Sequence, residues 1–420
     1  MLSLETSLRK AERHIKNEEF QEAKLFYEKI LKKYPSNLRA FEGLRKSKEK
    51  LSAYNIRNNQ SIFNELLVLF RQQSFERVIN LGLKNINLNN QDHLIFNIIG
   101  ASYQSLKNYN EAIKFYKKTL EINPNFYQAY NNIGHLYTEI KNYEEAKKHF
   151  EFALNIKNDD SETHNNIGNV YYKCKKYEKA KYHYECAIKY NPKSPDAFSN
   201  LGNVEKESEN FDKAKEAYLK AIELNPNLYQ AYNNLAVLLS NENNFSEAQI
   251  NFFKALEINP NYVDALGNLG NSYSKLKNFN TAIQYYQRAL SINPKFQAVL
   301  NNMGNAYIDL GLLDQSIQCF KDALKINPRS YEAFNNLGNA YYQNENFKVA
   351  ECNFKQAINL NSEYKDPVFN LALLQLYSGK FSEGWKNFNC RWEANDFDTP
   401  KIEFDLPLFN FEKKYESVLV

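Results

Sequence analysis

The sequence predicts an all-α solenoid, built from antiparallel helix pairs that stack on one another. Three observations predict it. A small residue recurs every 34 positions, at Gly100, Gly134, Gly168, Gly202, Ala236, Gly270, Gly304, Gly338 and Ala372. Around each copy the chain carries two apolar stripes of helical period, not the alternation of a strand. Proline then falls once per period, at Pro124, Pro192, Pro226, Pro260, Pro294 and Pro328, where it stops the second helix.

The first helix of each period is marked by Ile99, Ile133, Ile167, Leu201, Leu235, Leu269, Met303, Leu337 and Leu371, one residue before the small one. Tyr103, Tyr137, Tyr171, Tyr273, Tyr307 and Tyr341 follow three residues after it. With an apolar residue four before, these make an i, i+3, i+4, i+7 face. The second helix carries Ala112, Ala146, Ala180, Ala214, Ala248, Ala282, Ser316 and Ala350. Four residues after these stand Tyr116, Phe150, Tyr184, Tyr218, Phe252, Tyr286, Phe320 and Phe354. Small residues on both helices permit close approach, and the aromatic fills the groove beside them. Asn158 and Ser362 replace the proline in two copies, which should loosen those turns and keep the architecture. No single hairpin buries its own faces, so neighbours must stack.

The ends depart from the pattern. Residues 1–37 form a repeat-like unit with Ala23, Tyr27 and Pro35 in place. Residues 38–58 read as an extra charged helix and linker that break the phase, with a looser joint expected near 45–60. Residues 59–92 read as a degenerate repeat with Leu66, Leu69, Phe75 and Val78 at core positions. The regular array occupies 93–384, and an aromatic cap and tail occupy 385–420.

Composition narrows the function classes. A formal charge of +4 arises from 53 basic and 49 acidic residues, so no electrostatic footprint for nucleic acid is present. No stretch approaches 18 consecutive apolar residues, so no membrane span is expected. Five cysteines at irregular spacings, without a CxxC, disfavour a disulfide framework or a zinc site. The charged segment Met1–Phe20 lacks the apolar run of a signal peptide, and a cytoplasmic location is the expectation.

The 34-residue period, with aromatic-x-x-apolar-Gly-x-x-Tyr, then Ala-x-x-x-aromatic, then Pro, is the pattern of tetratricopeptide repeats, and the chain is identified as a member of that family. The resemblance implies a right-handed superhelix in which the first helices line a concave inner groove.

One feature is not required by packing. Two residues before each small residue from Gly134 on stand Asn132, Asn166, Asn200, Asn234, Asn268, Asn302, Asn336 and Asn370, while Ile98 before Gly100 breaks the series. One residue after it, Asn169, Asn203, Asn271, Asn305 and Asn339 extend the stripe. Six residues before it, on the same face, stand the acidic Glu162, Asp196, Asp264, Glu332 and Asp366, interspersed with Gln128, Gln230 and Ala298. Asparagine is roughly 0.5 kcal/mol worse than alanine in a helix. Copying of one ancestral repeat could leave such a row without a use. The functional reading is that each amide pairs a donor and an acceptor, matching the C=O and N–H of an extended main chain. The row resembles the superhelical half of the O-linked N-acetylglucosamine transferases, which implies that Asn132 through Asn370 hold an extended segment of another protein. The acidic residues are less regular than that resemblance requires.

Toward the C-terminus the chain reads Gly384-Trp385-Lys386-Asn387-Phe388-Asn389-Cys390-Arg391-Trp392. Trp385, Phe388 and Trp392 suit a cap on the end of the stack. The segment also resembles the end of the repeats in bacterial proteins where such an array precedes a glycosyltransferase domain. Ser417 to Val420 reads as the start of a buried strand, and a longer polypeptide is the expectation.

Nothing in the sequence argues for chemistry. The six histidines show no metal-ligand spacing, and no GxSxG, Walker or GxGxxG motif occurs. His164 takes a core position, and His135 stands beside the asparagine row. The expected function is a non-catalytic, cofactor-free and metal-free scaffold that grips an extended polypeptide. The alternative is the acceptor-recruiting half of a glycosyltransferase.

Overall fold

In the computed structural model, residues 3–86 and 92–394 are described, with the side chains of 55–58 excepted. The chain divides into two compact units, Met1–Ser208 and Glu209–Val420. The first holds α1 Leu4–Lys16, α2 Phe20–Lys33, α3 Leu38–Arg71, α4 Phe75–Ile86, α5 His93–Ser105, α6 Tyr109–Ile122, α7 Tyr127–Glu139, α8 Tyr143–Ile156, α9 Ser161–Lys173, α10 Tyr177–Tyr190 and α11 Pro195–Glu207. The second holds α12 Phe211–Leu224, α13 Tyr229–Asn241, α14 Phe245–Ile258, α15 Val263–Lys275, α16 Phe279–Ile292, α17 Gln297–Asp309, α18 Leu313–Ile326, α19 Tyr331–Gln343, α20 Phe347–Leu360, α21 Asp366–Tyr377 and α22 Phe381–Phe388. A 3-10 turn, Asn389–Glu393, follows. Among the described residues there is no strand, and no helix is long and apolar enough to cross a membrane.

Each pair closes where the sequence is smallest. A Cβ added to Gly134 would lie 2.7 Å from the Phe150 ring, and one on Gly304 would lie 2.6 Å from the Phe320 ring. The alanines at the second-helix position are fully buried, as are the aromatics beside them. The turn between paired helices needs one residue in the left-handed region. Lys107, Lys141, Lys175, Asn243, Lys277 and Glu345 adopt it with φ from 57 to 63°, while Gly311 and Gly379 do so without a side chain to strain. Its amide and the next close the helix end: Lys107 N–H donates to the Gln104 carbonyl at 2.8 Å, and Asn108 N–H to the Tyr103 carbonyl at 2.9 Å.

Between pairs, the residue before each proline is held extended, as at Asn225 (φ −140°, ψ 93°). Asparagine there adds a second closure, because the Asn225 Oδ1 accepts from the Asn227 amide at 3.0 Å. The two copies that lack proline keep the same geometry. Lys157 is extended like its counterparts, and its ammonium bonds Asp160 at 3.1 Å and the Tyr127 hydroxyl at 3.2 Å.

The N-terminal segment differs from the sequence expectation. A single helix, α3, runs through residues 38–71, where an extra helix, a linker at 58 and a new unit were expected. Its first part packs Ala40 and Leu44 into a core with Leu8, Ala11, Ala23, Tyr27 and Ile30. Its last part packs Leu66 and Leu69 into a second core with Val78, Ile79, Ile95 and Ile99. The sequence signals a break because a charged stretch between those cores interrupts the 34-residue phase. The backbone bridges the gap as helix.

At the other end the cap is shorter than one helix face. α22 stops at Phe388, so Trp392 lies in the 3-10 turn and not on the same helix as Trp385. Phe388 packs on Phe369 at 5.6 Å and edge-on to Trp385 at 5.5 Å, and Arg391 stacks over Phe388 and Trp392. The expected strand at 417–420 lies outside the described residues.

Candidate functional site

First helices meet first helices. In the first unit α5 contacts α7, α7 contacts α9, and α9 contacts α11; in the second, α13, α15, α17, α19 and α21 do the same in series. Second helices of neighbouring pairs keep their backbones apart and meet through long side chains, as where Phe253 of α14 lies edge-on to Tyr285 of α16 at 6.4 Å. Each unit therefore has a face along which first helices meet in series, and the asparagine row lies at those meetings.

All eight row members, Asn132 to Asn370, are half-buried. Most spend an amide hydrogen on the preceding pair. Asn132 Nδ2 donates to Asn97 Oδ1 at 3.1 Å, Asn166 to Asn131 at 3.2 Å, and Asn200 to Asn165 at 2.9 Å. In the second unit Asn268 donates to Asn233 and Asn370 to Asn335, each at 3.1 Å. The acceptors form a second asparagine row, one residue earlier in the chain, which the sequence reading missed. Asn131, Asn233, Asn301 and Asn335 in it are buried. Its signal is the Asn-Asn dipeptide repeated at 131, 165, 233, 301 and 335. The row thus has a structural share that the sequence reading did not assign to it.

Where Gly267 supplies no acceptor, Asn302 donates instead to Asn271 Oδ1 at 2.8 Å. Asn234, with Ser199 in the acceptor position before it, accepts from its neighbour Asn233 Nδ2 at 3.3 Å. At Asn301 the Oδ1 is buried without a described partner, and Asn336, 35 residues later, makes no described hydrogen bond to it. In each donating pair the amide oxygen of the row member is turned away from the contact.

The row after the small residue is less uniform. Asn169, Asn203, Asn271 and Asn339 are half-buried, and Asn305 is exposed. Asn169 and Asn271 each accept from a buried tyrosine hydroxyl, Tyr184 and Tyr286, at 2.7 Å. His135 at the same position is held by Gln104 at 3.0 Å and Glu139 at 3.2 Å.

A groove of about 990 Å³ in the second unit brings Asn268, Asn271, Asn302 and Asn305 together, with Ser240, Ser274, Lys275, Lys277 and Asp309 on its walls. Burial holds the Asp309 carboxyl above its ordinary value, and the Lys277 charge opposes this. Glu162, Asp196, Asp264 and Glu332 are exposed in the first turns of α9, α11, α15 and α19. Asp366 departs from them: it is 5% exposed, because it begins α21 beside Pro367 under the end of the stack. Burial takes Asp366 out of the ligand-facing acidic series in which its spacing placed it. His164 is buried and structural, bonded to the Asn158 carbonyl and to His183, each at 3.1 Å. Among the described residues no three His, Cys, Asp or Glu side chains converge as metal ligands would.

Models of the tetratricopeptide repeat match residues 94–126, 195–228 and 263–296, residues 115–148 and 217–250, and residues 331–364. A further model described as TPR repeat matches 134–174, 168–208 and 304–345. Together they span well over half of the sequence. The chain belongs to the tetratricopeptide repeat family. No curated protein matches it in sequence. Among solved structures, the APC/C hetero-tetramer Cut9–Hcn1 is similar at 16% identity over 92% of each chain, with a TM-score of 0.50, a likeness of fold. PilF of Pseudomonas aeruginosa is similar at 20% identity over 49% of this chain and 94% of its own, with a TM-score of 0.44. YrrB, described as a TPR protein with an unusual peptide-binding site, is similar at 28% identity over 44% of this chain and 95% of its own, with a TM-score of 0.34. None of these structures is described as a glycosyltransferase.

Proposed function

We propose that the first-helix face of each unit binds an extended segment of another protein through main-chain contacts to its asparagines. One observation carries the reading: Asn268, Asn271, Asn302 and Asn305 converge in a single open groove. Each row amide that donates to its neighbour keeps its oxygen and one hydrogen for a ligand. A ligand held by such groups is gripped through its backbone, and folded proteins or duplexes present no comparable run of unpaired peptide groups. The tetratricopeptide fold supports the reading, since stacked repeats present extended binding surfaces. The exposed Glu162, Asp196, Asp264 and Glu332 add a preference for basic or hydroxylated side chains. Recruitment of acceptor polypeptides for a glycosyltransferase would use the same face, and its support is the likeness of the Gly384–Trp392 segment alone.

The test is a titration followed by side-chain amide NMR. The probe is an acetylated, amidated Gly-Ser peptide of about twelve residues, which offers backbone and little else. The amides of Asn268, Asn271, Asn302 and Asn305 should shift together. Unmoved amides at saturating peptide would reject the reading.

A further inference from the structure

Beneath the groove, two buried hydroxyls decide which end of an asparagine faces outward. Tyr184 and Tyr286 are each 1% exposed, and each donates its phenolic hydrogen to the amide oxygen above it, Asn169 Oδ1 or Asn271 Oδ1, at 2.7 Å. Asn271 Oδ1 also accepts from Asn302 Nδ2 at 2.8 Å. A carbonyl oxygen has two lone pairs, so Asn271 has none left for a ligand. What it can offer is its NH2 group. Asn268 and Asn302 are oriented the other way, because each spends a hydrogen on the preceding pair and keeps its oxygen. The groove wall that holds these residues therefore carries a donor beside two acceptors.

The same device recurs in the first regular pair with a longer side chain. Tyr116 donates to Gln104 Oε1 at 2.9 Å, and the Gln104 NH2 is turned toward His135 and Glu139. In four pairs the buried aromatic is Phe150, Phe252, Phe320 or Phe354, which has no hydroxyl. The residues above those are His135, Val237, Asn305 and Asn339. Asn305 and Asn339 thus stand in the row without an oriented amide. Burial raises the ionisation range of Tyr184 and Tyr286 far above neutral, so both hydroxyls keep the proton they donate.

We propose that Tyr184 and Tyr286 are positioning residues that fix the polarity of Asn169 and Asn271, so that these two donate to main-chain carbonyls while the neighbouring row accepts from main-chain N–H groups. The proposal rests on the polypeptide-binding reading and adds where in each unit the main chain is read most strongly. An extended residue presents one C=O and one N–H, and a groove that fixes both polarities binds it without reorganising first.

Two measurements test it. The first needs no ligand: side-chain 15N relaxation of Asn271 in the wild type, in Tyr286→Phe and in Phe320→Tyr. The Asn271 amide should be as rigid as the backbone in the wild type and lose order in Tyr286→Phe. The Asn305 amide should gain order in Phe320→Tyr. The second is affinity for the Gly-Ser peptide, which should fall about fivefold to tenfold in Tyr286→Phe and rise in Phe320→Tyr, the size of one hydrogen bond. Thermal melts establish that both variants are folded. A merely structural tyrosine would lower the melting temperature of Tyr286→Phe and leave the order of Asn271 where it was. An equally ordered Asn271 amide in Tyr286→Phe overturns the positioning role alone. A wild type that does not bind the peptide at all overturns the polypeptide-binding reading, whatever the relaxation shows.

Discussion

Asn268 on α15 donates a side-chain hydrogen to the oxygen of Asn233 on α13 at 3.1 Å, and Asn233 is only 5% exposed. Truncating the donor leaves a buried acceptor without a partner. Asn268→Ala should cost about 1–3 kcal/mol. Asn336 makes no described hydrogen bond, so Asn336→Ala should change stability by less than about 0.5 kcal/mol. Urea unfolding of the two variants side by side checks this, and equal midpoints would remove the structural share of the row.

Close approach at the small residue gives a second expectation. A Cβ on Gly270 would lie 2.5 Å from the Tyr286 ring, and the ring is packed on all sides. Gly270→Ala should therefore force the two helices apart and cost about 1–3 kcal/mol in spite of alanine's better helix propensity. Differential scanning calorimetry reads the loss. A melting temperature at or above that of the wild type would show that the pair can relax around a methyl group, as its counterparts at Ala236 and Ala372 must.

Strain at the turns points the other way. Glu345 holds φ 57° where Gly311 and Gly379 serve in other pairs. Left-handed backbone costs an ordinary residue roughly 1–2 kcal/mol, part of which glycine returns as entropy of the unfolded chain. Glu345→Gly should stabilise by up to about 1 kcal/mol. Its effect appears as a rise in melting temperature, and a fall would contradict the assignment of strain.

The histidine pair predicts a pH dependence. His164 Nε2–H donates to the Asn158 carbonyl, which leaves its Nδ1 to accept from His183 Nδ1–H at 3.1 Å. Burial, and secondly the neighbouring His164, lower the His183 pKa to about 4 from 6.5. Tyr171, Tyr182 and His164 face the His183 ring. The folded state binds the proton less well than the unfolded chain, so the stability held above pH 6.5 is lost as pH falls toward 4. The loss should be on the order of 2 kcal/mol. Urea midpoints of the wild type and His183→Gln across that window isolate the slope, since carboxylates titrate in both. Parallel curves would dismiss the pair as a pH-sensitive element.

Much of this molecule is legible in its sequence. The period, the small residues and the aromatics fix helix pairs and their stacking, because each is a local requirement repeated in every copy. The polarity of the asparagine row was not legible. Asn268 meets Asn233 across 35 residues, and the geometry of that meeting depends on how neighbouring pairs pack. The role of Tyr286 was hidden for the same reason, since by sequence a core tyrosine differs from Phe320 only by one oxygen. Asp366 misled because its spacing matched the exposed acids, while its neighbour Pro367 and the end of the stack placed it inside. The break expected near residue 58 follows from the interrupted 34-residue phase, which marks a gap between cores and not an absent helix.

The helix α3 has a consequence of its own for how the chain comes apart. At 1.5 Å per residue its 34 residues extend about 51 Å, far beyond the reach of either core that claims its ends. Elsewhere in the array neighbours are joined by buried area, so their union weakens with each apolar atom removed. Here the union is carried by peptide hydrogen bonds along one helix, so apolar truncations leave it intact and a single proline severs it. The first two cores are thereby joined as two weights on one axle, and the loss of either leaves the other attached to an unsupported length of helix.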